Sequence, residues 1–156
     1  MRRLIFLFMV TLLMAIGASP LPTDAAAPTH VDGGGTATGL DTSSQFGMDI
    51  ILAGDGSVSG HFNCVMAGRS AMPGLSDMTV RGSVTSASIT SGTITFGGTG
   101  ILNMKSAQSG NRETMIVAYS VTVTPGGPGV GTVALSVPAA SFSMSEIVTS
   151  GQISIH

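Results

Sequence analysis

The chemistry available to this chain rests on few side chains. There are three histidines, His30, His61 and His156, one cysteine, Cys64, and eight acids. A Ser or Cys nucleophile needs a base beside it. The one cysteine, Cys64, lies three residues from His61 in an alternating stretch. Odd spacing in a strand sends two side chains to opposite faces, so they do not form a dyad. No Gly-x-Ser-x-Gly elbow is present. A copper site of blue type needs two His, a Cys and an axial ligand such as Met. His61, Cys64 and Met66 are neighbours, but only Cys64 and Met66 share strand parity, and His156 would have to arrive from the far end. Calcium favours several oxygens on one loop; Asp49 and Asp55 flank one turn without an acidic repeat. Glycoside hydrolysis needs two carboxyls facing each other across the bond. Here that pair would be long-range, Glu113 with Glu146, supported by Asp49 or His61. A glycan-binding groove would call on Tyr119, Phe or Met, since the chain has no Trp and one Tyr. On these grounds no catalytic, metal-binding or cofactor-binding residue is assigned.

The elements that would carry these residues read as strands. Phe46, Met48, Ile50 and Leu52 alternate with mostly polar neighbours, and Phe62, Cys64 and Met66 do the same after a Gly54-Asp55-Gly56 turn. Residues 46–66 therefore form a hairpin, with Cys64 as a buried thiol. Residues 67–77 read as a loop and 78–85 as a strand. Ser91-Gly92 is a tight turn between 89–90 and 93–96. A Gly-rich break at 97–100 precedes 101–104, and 105–113 is a polar loop. Residues 114–124 are the longest strand, with Tyr119 on its apolar face. A Pro-Gly loop at 125–131 leads to strands at 133–137, 142–144 and 152–155. Short strands spaced 8–12 residues apart predict an all-β fold. The expected architecture is an antiparallel β-sandwich or flattened barrel of about eight to ten strands. Thr-x-Thr pairs at Thr36, Thr93 and Thr122 share no short period, so a solenoid is not expected.

Composition narrows the function classes. Charged residues are 9% of the chain against a usual ~25%, yet 43% are hydrophobic, enough for a core. Beyond residue 27, seven acids stand against four bases, Arg69, Arg81, Lys105 and Arg112, a net of −3. Four dispersed bases do not make the clustered basic surface that nucleic acid or an anionic membrane requires. Met1-Arg2-Arg3, an uncharged run from Leu4 to Ile16 and then small residues have the layout of a secretory signal peptide. The expected organisation is a signal peptide over 1–19 with cleavage between 17 and 27, a flexible lead-in over 20–35, and one β-domain over 36–156. The apolar run of 13 residues is short of the ~20 needed to span a bilayer. The expected location is extracellular or periplasmic.

Four stretches carry a family resemblance: Val58-Ser59-Gly60-His61-Phe62-Asn63, Ile94 through Gly100, Pro128-Gly129-Val130-Gly131, and Gly151-Gln152-Ile153-Ser154-Ile155-His156. In this order the chain resembles small secreted bacterial β-domains of the post-COAP type. Where members carry Asp around the Pro-Gly loop, this chain has Thr124 and Thr132. The resemblance implies a compact extracellular β-domain with no catalytic residues to carry over. The expected function is a non-enzymatic structural or recognition module, its partner an extracellular protein or glycan. A small-ligand or glycan binder is the first alternative, and a hydrolase of unrecognised type the second.

Overall fold

The computed structural model describes residues 27–68 and 72–156. Eight strands follow one another: β1 (Thr29–Thr38), β2 (Ser43–Leu52), β3 (Val58–Ala67), β4 (Leu75–Thr90), β5 (Thr93–Ser106), β6 (Arg112–Thr124), β7 (Thr132–Val137) and β8 (Phe142–Ile155). Each pairs antiparallel with the next, and β8 closes on β1, so the sheet is a closed barrel in sequence order. The sandwich alternative is thereby replaced by a barrel, and the strand number is eight. Sandwiches and barrels share the same period-two pattern. Closure comes from pairing between the two ends of the chain, which local alternation does not encode.

The closure is staggered. The first half of β8 pairs with β7, up to Ile147 against Thr132. Its second half pairs with β1, from Ile147 against Thr38 to Ile155 against Val31. Strand β1 also begins earlier than the expected entry near Thr36. Residues 29–35 of the supposed lead-in are paired strand, because Gly33, Gly34 and Gly35 have partners on both β2 and β8. The signal-peptide reading of 1–19 lies outside the described residues.

Two β-bulges explain why long strands read as fragments. In β4 the inward residues are Met78, Val80 and Val84, but after a register shift between Val84 and Ser86 the inward side passes to Ala87, opposite Phe96, while Ile89, of the same parity, is exposed near the strand end. The parity switches from even to odd, as one inserted residue requires. In β8 the buried side chains Met144, Glu146 and Val148 give way to Ile153 by the same device. Strand β5 keeps its parity from Ile94 to Met104, but Gly98 and Gly100 stand at inward positions and show no side chain. The Ser91-Gly92 turn has φ of 51° and 79°. Positive φ at both central residues is the primed turn that suits strand twist.

The inward side chains fill the barrel. Phe62 stacks on Tyr119 with ring centroids 5.6 Å apart and meets Phe96 edge-on at 5.5 Å. Gly82 makes room for this cluster: a Cβ there would sit 2.4 Å from Tyr119 Cε1 and 2.7 Å from the Thr99 carbonyl oxygen. Tyr119 remains polar at one point, its hydroxyl donating to the Ser83 carbonyl at 3.1 Å. Outward positions carry mostly Thr, Ser, Asp and Asn, with a few exposed apolar residues, among them the cross-strand pair Ile101 and Ile116. An apolar interior and a polar wall are the inverse of a lipid-embedded barrel. No helix among the described residues is long and apolar enough to cross a membrane.

Candidate functional site

The barrel wall sorts the reactive side chains into two sets. Inside are Cys64, Ser44 and Glu146, all buried. Ser44 and Cys64 occupy inward positions on β2 and β3, and Glu146 the corresponding position of β8 between Met144 and Val148. The Ser44 hydroxyl donates to Glu146 Oε2. Glu146 Oε1 has no hydrogen-bond partner in the structure. Burial pushes the Cys64 thiol up to about 12, the nearby Ser44 hydroxyl opposing the rise and the Glu146 carboxyl adding to it. A thiol so high stays protonated and is a poor nucleophile. Burial also pushes the Tyr119 phenol up to about 12.

The expected separation of His61 from Cys64 is what the wall produces: His61 is exposed and Cys64 sealed inside. The copper donors are divided in the same way, Cys64 and Met66 within and His61 without. Glu146 is 2% exposed while Glu113 lies open on β6, so the two do not face each other across an open cleft. Asp55 spends Oδ1 on the Ser57 amide at 2.8 Å, and the Ser57 side chain and amide hold its carboxyl below the usual range. Tyr119 and Phe96 line a groove of about 580 Å³ between β4, β5 and β6, but Tyr119 is 4% exposed, so the groove surface is supplied mainly by Ser86, Thr95, Thr99 and Ser120.

The outer set gathers on β1, β2, β3 and β8. One rung across the wall runs Ser154, Asp32, Asp49, His61. Beside it, His30 and His156 exchange both backbone hydrogen bonds, at 3.0 and 2.8 Å. His30 Nε2 lies 2.7 Å from Asp49 Oδ1, and His156 Nε2 lies 3.4 Å from Asp32 Oδ1. The two imidazole centroids are 6.2 Å apart. All three histidines of the chain thus share one patch with two aspartates. The next rung is Gln152, Gly34, Gly47, Asn63, where two adjacent outward positions lack side chains. Three grooves meet around this gap. One of about 630 Å³ is edged by His61, Asn63 and Arg81; one of about 460 Å³ by Asp32, Asp49, Gln152 and Ser154; one of about 350 Å³ by Thr36, Gln45 and Ser150.

Sequence reasoning missed both groupings. Glu146 was legible as a core position from Met144-x-Glu146-x-Val148. The meeting of His30 with His156 had no local signal, because it depends on barrel closure. Comparison with protein-family models, with curated proteins and with solved structures finds no match for this chain. The fold and site define a closed eight-stranded antiparallel barrel with a filled interior and a polar, grooved outer wall.

Proposed function

We propose that this protein is a secreted, non-enzymatic β-barrel that serves as a structural or recognition module at the cell exterior. The observation that carries this reading is the division of labour across the wall. The interior is given to packing, and its thiol and carboxyl are sealed from solvent. The exterior offers polar grooves around the Gly34–Gly47 rung. Recognition by such a surface uses amides, carboxylates and hydroxyls, which suit a polar partner. The same grooves favour a second reading, a small polyhydroxylated ligand or glycan bound by Asn63, Gln152, Gln45 and the aspartates. The signal-like layout of 1–19 and the resemblance to small secreted β-domains support export.

Binding to arrays of glycans and of extracellular proteins tests both readings. The discriminating variant is Gly34→Val. A Cβ at Gly34 would meet only ordinary contacts, the nearest being the Phe46 carbonyl at 3.5 Å. The barrel therefore stays folded while the gap is filled. Loss of binding with an unchanged melting temperature supports the groove. Binding that survives the substitution places recognition elsewhere on the wall.

A further inference from the structure

We propose that His30, Asp32, Asp49 and His156 form a binding site for a divalent transition-metal ion of the zinc, copper or nickel class, set on the seam where β1 closes the barrel.

The first support is the donor set. Imidazole nitrogen with carboxylate oxygen suits borderline divalent metals, whereas calcium and magnesium prefer oxygen alone. The second is an unfavourable arrangement the fold retains. Asp32 and Asp49 are direct cross-strand partners with outward side chains. Like charges opposite each other destabilise a sheet, with Cβ atoms only about 4.5–5.5 Å apart. A cation bound between them removes that repulsion. The third is reach. His30 and Asp32 are two residues apart on one strand and so share a face. His156 stands beside His30 across the seam, and Asp49 stands beside Asp32 on the other side.

As the side chains stand, His30 is hydrogen-bonded to Asp49, His156 lies within 3.4 Å of Asp32, and no three His, Cys, Asp or Glu donors converge on one point among the described residues. Binding requires the four to turn inward over the groove of about 460 Å³ beside them. Their side chains are 44–62% exposed and lie outside the packed core, so they turn at the surface without disturbing the barrel interior. One hydrogen bond and one 3.4 Å contact are exchanged for up to four metal bonds of about 2.0–2.2 Å. The ion would cross-link β1, β2 and β8. His61 faces Asp49 from β3 and is not needed for a four-coordinate site.

The test uses the protein without a polyhistidine tag, treated with chelator and dialysed, at pH 7.5. Thermal unfolding is followed with added Zn²⁺, Ni²⁺, Cu²⁺ or Ca²⁺, and zinc binding is measured by equilibrium dialysis. Zinc or nickel at a hundredfold excess over the dissociation constant raises the midpoint by at least about 5 °C. Calcium does not. Dialysis gives one zinc per chain. His30→Ala with His156→Ala, and separately Asp49→Asn, lower zinc affinity at least tenfold, and His61→Ala leaves it unchanged. The dialysis reading stands even where a variant is less stable, provided its circular dichroism is native. Zinc affinity that survives the double histidine variant overturns the proposal, as does a midpoint that no transition metal moves. Equal stabilisation by calcium also overturns it, since that would be a carboxylate site without imidazole.

Discussion

Ser44→Ala is the substitution that most directly probes the barrel interior. It deletes the hydroxyl that donates to Glu146 Oε2. Because Oε1 already has no partner, the variant leaves a buried carboxyl with neither oxygen hydrogen-bonded. Stranding a buried polar group in this way costs about 1–3 kcal/mol. Taking ~2 kcal/mol and a urea m-value of about 2 kcal/mol/M, the urea midpoint falls by about 1 M at constant m. The thermal midpoint falls by roughly 6–10 °C for a barrel of this size. Tyr119, the only tyrosine, is stacked on Phe62 and provides an intrinsic fluorescence probe. The control is Glu146→Met, which removes the carboxyl at similar length. In that background Ser44→Ala costs less than about 0.5 kcal/mol, so the coupling between the two sites is at least ~1 kcal/mol. A wild-type-like midpoint for Ser44→Ala, or an equal loss in both backgrounds, would show that the hydroxyl does not support the carboxyl.

The remaining expectations concern alkaline pH and the aromatic cluster. Cys64 and Tyr119 ionise at 9.0 and 10.0 in their ordinary states and at about 12 when folded. The unfolded chain therefore releases these protons first, and the stability they leave intact below pH 9 is lost as pH rises toward 12, more steeply above 10. Urea midpoints measured from pH 8 to 11 should fall accordingly, and Cys64→Ala should flatten the limb between 9 and 10; a slope identical to wild type there refutes the assignment to the thiol. Gly82→Ala should destabilise by about 1–3 kcal/mol or more, since its Cβ meets the Thr99 and Gly100 backbone as well as Tyr119. A chemical-denaturation midpoint within error of wild type would mean that β4 and β5 can part there at little cost.

How far the sequence reveals this molecule depends on the range of each interaction. The 46–66 hairpin, the Ser91-Gly92 turn and the inward Tyr119 are properties of adjacent residues, and alternation exposes them. Strands β4 and β8 read as fragments because one extra residue reverses the parity of everything after it. Residues 29–35 read as slack because glycine shows no face. The interior carboxyl of Glu146 was visible in the pattern but easily passed over, since a charged residue is rarely expected in a core. The gathering of His30, His156, Asp32 and Asp49 was not visible at all. Those residues meet only once the first strand has found the last, and nothing within either segment announces the other.

That final pairing also bears on how the chain could be rearranged. The start of β1 and the end of β8 lie side by side, with His30 and His156 bonded backbone to backbone. A short linker could fuse them, and new termini could be opened at the exposed Ser91-Gly92 turn. Such a circular permutant would keep every rung of the cylinder while moving the distant closure from β1–β8 to β4–β5, so comparing its refolding rate with the native order would show which seam limits folding.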